Sequence, residues 1–112
     1  HHDTKIDIGC NILSGVKISN SVSIGKGCLI YYNSIITHNC EIGNFIDISP
    51  SVNLLGRVQI SDYAHIGSNV TILPDIKIGK NSIIGAGAVV TKDVPDNVMV
   101  AGIPSKIIKS LK

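Results

Sequence analysis

Residues 60–78, ISDYAHIGSNVTILPDIKI, carry an isoleucine at every sixth position. Followed outward in both directions, this spacing selects fifteen positions from Ile6 to Val90, all of them aliphatic and thirteen of them isoleucine. A second column, four residues after each member of the first, holds mostly small or β-branched side chains such as Ala64 and Val70. A period of six matches neither a helix face nor the alternation of a strand. The repeat therefore determines the fold.

A chain that turns a corner every six residues builds a three-sided prism from short strands. Three hexads complete one triangular coil, and two of every six side chains point inward. The coils stack as parallel strands about 4.8 Å apart, so side chains eighteen residues apart lie above one another. Residues 6–94 then form about five coils, and Ile and Val suit their packed strands. Because no segment before residue 100 has helical periodicity, the repeat predicts an all-β fold.

Glycine often follows the aliphatic residue of the first column. We expect these glycines at the corners of the prism, where they relieve the steric cost of unusual dihedral angles. The intervening positions are rich in Asn, Asp, Lys and Ser, as exposed turns should be. The glycines concerned are Gly25, Gly43, Gly67, Gly79 and Gly85.

The two ends of the chain depart from the repeat. Residues 1–5 are predicted to be a linker or tag remnant, and His1 and His2 are given no role. Residues 95–112 are predicted to form a turn and a short helix that opens at Pro104. Its apolar stripe, Ile107, Ile108 and Leu111, would cover the open end of the prism or pack on a neighbour.

Composition excludes several classes of function. The net charge is +2, the basic residues are scattered, and no aromatics accompany the C-terminal lysines, so nucleic acid is not an expected partner. Polar residues or glycine break every apolar stretch before it reaches membrane-spanning length. The three cysteines lack a CxxC spacing and are odd in number, which favours buried thiols in a reducing cytoplasm.

The column pattern resembles the hexapeptide-repeat family, whose prism is a left-handed parallel β-helix. The left hand is implied by the resemblance, since ordinary crossovers are right-handed. The expected fold is thus a left-handed parallel β-helix of about five triangular coils with a short C-terminal helical tail. In this family the same scaffold serves acyltransferases, metal-dependent carbonic anhydrase-like enzymes, and structural or regulatory parts, so local sequence has to discriminate among them.

Residues 78–108, IGKNSIIGAGAVVTKDVPDNVMVAGIPSKII, resemble the closing segment of acetyl-CoA-dependent hexapeptide acyltransferases. The resemblance implies that Gly85 and Ala86 let a pantetheine arm lie against backbone amides between coils. It also implies that Lys106 and Lys109 meet the phosphates of the nucleotide as point charges. The alternative is that the glycines and alanines only satisfy the turn.

Residues 35–60, IITHNCEIGNFIDISPSVNLLGRVQI, are similar to bacterial sugar acyltransferases that acetylate sialic acid hydroxyls or nucleotide-linked 4-amino sugars. This similarity implies that His38 is the general base, a role that suits imidazole because its pKa lies near working pH. Gly56 would offer its N–H to the developing oxyanion. The repeat alone places Gly56 one coil beyond His38 on the same edge. The alternative for His38 is an exposed turn histidine without a role.

Two positions depart from the pattern of that family. Asn39 stands where an acidic residue usually orients the base; its amide oxygen can fix the tautomer but cannot stabilise the imidazolium as a carboxylate would. Asp47 stands where a second histidine is expected, and His65 follows eighteen residues later, so the two should stack on adjacent coils. We treat Asp47 and His65 as candidates for binding the acceptor, although such pairs are more often surface contacts.

No metal site is expected, because the repeat contains only His38 and His65, in separate coils, whereas carbonic anhydrase-like members need three converging histidines. The predicted function is acetyl-CoA-dependent transfer of an acetyl group to a sugar amine or hydroxyl used in surface glycans. The alternative is a non-catalytic or regulatory module serving trimer assembly. The resemblance implies a homotrimer with the cofactor between neighbouring prisms, and outward apolar residues such as Tyr31 and Tyr32 suggest a partner surface.

Overall fold

The computed structural model describes residues 3–112, and the predicted tag residues His1 and His2 lie outside them. Fifteen two-residue strands alternate with four-residue corners, and two longer strands follow. The strands are β1 Lys5–Ile6, β2 Asn11–Ile12, β3 Lys17–Ile18, β4 Ser23–Ile24, β5 Leu29–Ile30, β6 Ile35–Ile36, β7 Glu41–Ile42, β8 Asp47–Ile48, β9 Asn53–Leu54, β10 Gln59–Ile60, β11 His65–Ile66, β12 Thr71–Ile72, β13 Lys77–Ile78, β14 Ile83–Ile84, β15 Val89–Val90, β16 Val98–Ala101 and β17 Lys106–Ser110.

Every third strand pairs in parallel, which gives three sheets. Sheet A is β1-β4-β7-β10-β13, sheet B is β2-β5-β8-β11-β14-β16-β17, and sheet C is β3-β6-β9-β12-β15. The register is eighteen residues throughout the repeat, as in the pairing of Ile36 with Leu54 and of Ile66 with Ile84. The predicted five-coil, all-β prism is confirmed.

Three edges join the sheets, and each is named after the sheets it connects. The AB edge comprises residues 7–10, 25–28, 43–46, 61–64 and 79–82. The BC edge comprises residues 13–16, 31–34, 49–52, 67–70 and 85–88. The CA edge comprises residues 19–22, 37–40, 55–58 and 73–76.

The core consists of the two inward columns that the repeat predicts. The first column is buried from Ile24 to Val90 and the second from Val22 to Val94. Burying each isoleucine contributes about 1.5–3 kcal/mol. Burial also raises the pKa of the Cys28 and Cys40 thiols, which keeps them protonated as small core residues.

The corners correct one expectation. The residue with a positive φ is the third after each strand's aliphatic residue, from Gly9 to Gly87, with φ between 55° and 79°. Asparagine and glycine are frequent there because both tolerate the left-handed region. The glycines directly after the aliphatic residue serve a different purpose. A Cβ on Gly25 would lie 2.5 Å from the Gly43 carbonyl oxygen, so these glycines allow close approach of the next coil.

The predicted C-terminal helix is wrong. Strand β16 pairs in parallel with β14, and β17 folds back on β16 as an antiparallel neighbour. The free edge of β16 offers these residues main-chain hydrogen bonds that outweigh a single helical turn. Val100 is buried against the last coil, whereas Ile107 and Ile108 remain exposed. Within residues 3–112 no helix has the length and apolar character that a membrane crossing needs.

Candidate functional site

His38 lies on the CA edge, in the corner between β6 and β7. Hydrogen bonds fix the corner on both sides of His38. The Thr37 hydroxyl donates to the Leu54 carbonyl oxygen at 2.9 Å, and the inward Cys40 thiol donates to the Leu55 carbonyl oxygen at 3.2 Å. The His38 side chain between them therefore points outward from a fixed backbone, and it is exposed.

Asn39 contacts the His38 ring directly. The distance from His38 Nδ1 to Asn39 Oδ1 is 3.1 Å. Because an amide oxygen only accepts, Nδ1–H is the donor, and Nε2 keeps its lone pair. Asn39 occupies the positive-φ position of this corner, with φ of 62°. The arrangement can hold one tautomer and leave Nε2 free to take a proton.

Gly56 lies directly beneath the imidazole, one coil further along the edge. A Cβ on Gly56 would lie 2.7 Å from His38 Cε1 and 2.8 Å from His38 Nε2. The ring is thus in contact with the Gly56 backbone, and the missing side chain makes this contact possible. No acceptor for the Gly56 N–H is found within residues 3–112, while the Gly56 carbonyl accepts from the Asp75 N–H at 3.0 Å. The Gly56 backbone beside the ring therefore has an N–H without a hydrogen-bond partner in the described part of the chain.

Arg57 and Asp75 form an ion pair next to the contact between His38 and Gly56. The sequence analysis did not predict this ion pair. Arg57 Nε lies 2.6 Å from Asp75 Oδ1, and Nη2 lies 3.1 Å from Oδ2. Hydrogen bonding to Arg57 holds the pKa of the Asp75 carboxyl below its usual value, and the nearby His38 contributes in the same direction. The signal was present in the sequence, since opposite charges stand eighteen residues apart on one edge.

Asp47 and His65 stack on adjacent coils of sheet B, paired in register in β8 and β11. His65 Nδ1 lies 3.6 Å from Asp47 Oδ2, and both side chains are about half exposed. Sheet B does not border the CA edge. Within one chain the pair therefore lies on the opposite side of the prism from His38.

The residues predicted to bind the cofactor gather at the C-terminal end of the prism. Gly85 and Ala86 follow β14 on the BC edge, and a Cβ on Gly85 would lie 3.1 Å from Ala101 Cβ. In the pairing of β16 with β17, Lys106 lies opposite Ala101 and Lys109 lies opposite Met99. Both lysines are exposed and have no ion-pair partner in the described part of the chain. This group is also separated from His38, because it lies on sheet B and its edge.

Among residues 3–112 no group of three or more His, Cys, Asp or Glu side chains is placed to hold a metal ion. The chemistry available at the CA edge is that of an oriented imidazole, a free backbone donor and a fixed ion pair. These groups suit proton transfer to and from a reacting substrate.

Comparison with known proteins shows what the chain is similar to. Residues 57–92 match the family described as bacterial transferase hexapeptide (six repeats). No protein with a curated description is significantly similar to the chain.

Solved structures match over nearly the whole chain. The acetyltransferase domain of PglB from Neisseria gonorrhoeae FA1090 has a TM-score of 0.83 at 25% identity, covering 96% of this chain and 56% of that chain. A mutant of perosamine N-acetyltransferase from Caulobacter crescentus, in complex with CoA and GDP-perosamine, has a TM-score of 0.84 at 28% identity, with coverages of 98% and 55%. Galactoside acetyltransferase in complex with coenzyme A has a TM-score of 0.88 at 28% identity, with coverages of 97% and 64%.

These likenesses confirm the predicted fold. Residues 57–92 carry recognisable hexapeptide repeats, and the chain has the left-handed parallel β-helix seen in these acetyltransferases. It spans 55% to 64% of the length of the three solved proteins.

Proposed function

We propose that the protein is an acetyl-CoA-dependent acetyltransferase that modifies an amine or hydroxyl of a sugar used in surface glycans. The observation that carries this proposal is the imidazole of His38, which lies over Gly56 with Nδ1 held by Asn39. Two of the structurally similar proteins, a perosamine N-acetyltransferase and a galactoside acetyltransferase, were solved with coenzyme A bound. The reaction belongs in the cytoplasm, where free thiols stay reduced.

In this proposal acetyl-CoA supplies a thioester carbonyl beside Gly56. His38 Nε2 accepts the proton of the sugar amine or hydroxyl as its nitrogen or oxygen bonds to the carbonyl carbon. The Gly56 N–H donates to the oxyanion that forms. When the C–S bond breaks, His38 returns the proton to the departing thiolate. The products are the acetylated sugar and free coenzyme A, and no covalent enzyme intermediate is needed.

The proposal includes a homotrimer, because within a single prism the proposed base lies on a different side from the residues proposed to bind the acceptor and the cofactor. His38 and Gly56 lie on the CA edge, whereas Asp47, His65 and the cofactor-binding candidates lie on sheet B or its edge. Packing the CA edge of one chain against sheet B of the next would bring the two groups of residues together at each of the three interfaces of the trimer. Asp47 and His65 would then contact the acceptor, and Gly85, Ala86, Lys106 and Lys109 would hold the nucleotide end of the donor.

The direct test is thiol release from acetyl-CoA with a panel of amino sugars and sialic acid. His38→Ala should lower kcat by about 10²–10⁴-fold, the range typical of a lost general base. His65→Gln, a substitution of the other histidine in the repeat, should chiefly raise KM for the acceptor. Full activity of His38→Ala would exclude the proposed base. No release with any acceptor would favour the alternative of a non-catalytic assembly module.

A further inference from the structure

Sheet A differs from the other two faces of the prism. Its outward side chains are all polar, whereas sheets B and C also present partly exposed aliphatic residues such as Leu29 and Ile35. The outward residues of sheet A are Lys5, Ser23, Glu41, Gln59 and Lys77. Sheet A is therefore the face least suited to packing against another copy. It also begins directly after the corner that carries His38.

A cleft of about 450 Å³ lies on this face. Glu41 and Gln59 line the side next to the CA edge, and Ser61 and Lys80 line the far side. None of these four side chains has a hydrogen-bond or ion-pair partner within residues 3–112. Gly43 keeps the floor of the cleft open between them. A carboxylate, an amide, a hydroxyl and an ammonium group thus face one depression with their hydrogen-bonding capacity unused.

Two exposed aromatic residues border the far side of sheet A, on the AB edge. The rings of Phe45 and Tyr63 stack with centroids 5.5 Å apart, and 50% and 57% of these residues remain exposed. Their corners are rigid. Asn44 Oδ1 accepts from the Lys26 N–H at 2.8 Å, and Asp62 Oδ1 accepts from the Asn44 N–H at 2.9 Å. The aromatic pair is therefore held in place without being buried.

We propose that sheet A binds a glycan of two or more sugar units, which crosses the cleft from the Phe45–Tyr63 pair to His38. A sugar chain presents hydroxyls that match Glu41, Gln59, Ser61 and Lys80, and apolar C–H groups that match aromatic rings. Three residues lie between Glu41 and Phe45, and neither Phe45 nor Tyr63 lines the cleft, so the cleft and the aromatic pair are separate contact points for a sugar chain. The placement of the reacting sugar at His38 rests on the proposed acetyltransferase function; the binding of the remaining units does not.

The test is a titration of the isotope-labelled full chain by NMR, without acetyl-CoA, with two series of probes. These are glucosamine and its β-1,4-linked tetramer, and sialic acid and its α2,8-linked tetramer. In at least one series the tetramer should bind roughly two- to tenfold more tightly than the monomer, as one added aromatic contact allows. The shifted amides should include those of Gln59 and Ser61.

Substitutions identify the surface. Tyr63→Asn, which introduces the residue found at the same corner position in other coils, and Gln59→Ala should each remove most of the gain for the tetramer. Tyr63→Asn should also leave monomer binding unchanged, because Tyr63 lies outside the cleft. Tyr32→Ala is the matched control, since Tyr32 is 51% exposed on the BC edge, away from sheet A. Equal affinity for monomer and tetramer in both series, or a gain that survives Tyr63→Asn and Gln59→Ala, would overturn the proposal.

The two proposals fail in distinguishable ways. Tetramer binding that depends on Tyr63 without any acetyl transfer would leave the glycan surface standing and exclude the proposed activity. Acetyl transfer to a monosaccharide, with no added affinity for the tetramer, would support the proposed activity and exclude the glycan surface.

Discussion

At the residue scale, the chemistry proposed for His38 depends on two neighbours, one placed by the eighteen-residue register and one adjacent in the chain. Gly56 beneath the ring follows from counting eighteen residues, and Asn39 is adjacent in sequence. The first neighbour was predictable from the repeat and the second from the order of residues in the chain. The bidentate geometry of Arg57 and Asp75 was not, because spacing indicates that two side chains stack but not that their torsions bring the charged groups together.

The contact between His38 and Gly56 predicts a selective effect of Gly56→Ala. The new Cβ would displace a side-chain ring that can move, so stability should change by less than about 0.5 kcal/mol. Acetyl transfer should fall by roughly 10²-fold, since displacing a reacting group by about 1 Å has that effect. Thermal unfolding and steady-state kinetics measure the two quantities.

Gly9→Ala is the matched control for this substitution. Gly9 has a φ of 77° and ordinary packing distances around its Cβ position, so alanine there should destabilise the fold by about 1–2 kcal/mol and leave activity unchanged. Unchanged activity of Gly56→Ala would contradict the assigned contact.

The Arg57–Asp75 pair predicts a pH-dependent contribution to stability. The pKa of the Asp75 carboxyl is lowered in the folded chain by its hydrogen bonds to Arg57, so the contribution is present above the usual carboxyl value of about 3.9. It should disappear as pH falls through the lower folded-state pKa. Urea unfolding of the unsubstituted chain and of Asp75→Asn between pH 2 and pH 7 should show a small difference at pH 7 that vanishes in acid. A difference that grows on acidification would contradict this account.

At the element scale, Ser34 and Ser82 interrupt the second inward column, and their hydroxyls differ in the hydrogen bonds that they make. Ser34 donates to the Ser49 carbonyl oxygen at 2.9 Å and accepts from the Val52 N–H at 3.1 Å. Ser82 donates to the Gly79 carbonyl oxygen at 2.6 Å, and no backbone N–H among residues 3–112 donates to its hydroxyl. Both residues are fully buried.

Ser34→Ala should therefore destabilise the protein more than Ser82→Ala. Loss of the Ser34 hydroxyl leaves the Val52 N–H unpaired in the core, which costs about 1–3 kcal/mol. Loss of the Ser82 hydroxyl leaves no such donor and should cost about 1 kcal/mol or less. Denaturant unfolding of the two variants measures the difference. Equal losses would indicate that Ser34 does not satisfy the Val52 N–H of the next coil.

The fifteen short strands were predictable because one rule, repeated without a slip, specifies each of them. The C-terminal hairpin was not. Ile107, Ile108 and Leu111 fit a helical stripe as well as a strand over so few residues, and the choice was made by the open edge of β16, a tertiary neighbour. The role of the glycines was misassigned for a related reason, since close approach between coils is also a tertiary effect.

At the scale of the whole molecule, the chain measures 38 × 23 × 22 Å, and β16 and β17 extend sheet B beyond the last coil. Each coil contacts only its neighbours, so the register of eighteen residues positions every side chain on the surface. That register separates the candidate site into two halves on different sides of one chain. Assembly is therefore part of the proposed activity.

The protein should sediment as a trimer of about 35 kDa, three times the 11.8 kDa chain. Leu29→Glu, on sheet B, should dissociate it and abolish acetyl transfer, because a buried unpaired charge opposes packing. Ser23→Glu, at the corresponding position of sheet A, should leave the mass unchanged. A fully active monomer at micromolar concentration would rule out the shared site.

The most direct test is a crystal structure of the assembled protein with coenzyme A. We expect the thiol end to contact Gly56 and face His38 Nε2, while the nucleotide end lies near Lys106 and Lys109 of a neighbouring chain. A thiol at a different edge of the prism, or a His38 ring surrounded only by bulk solvent, would contradict it.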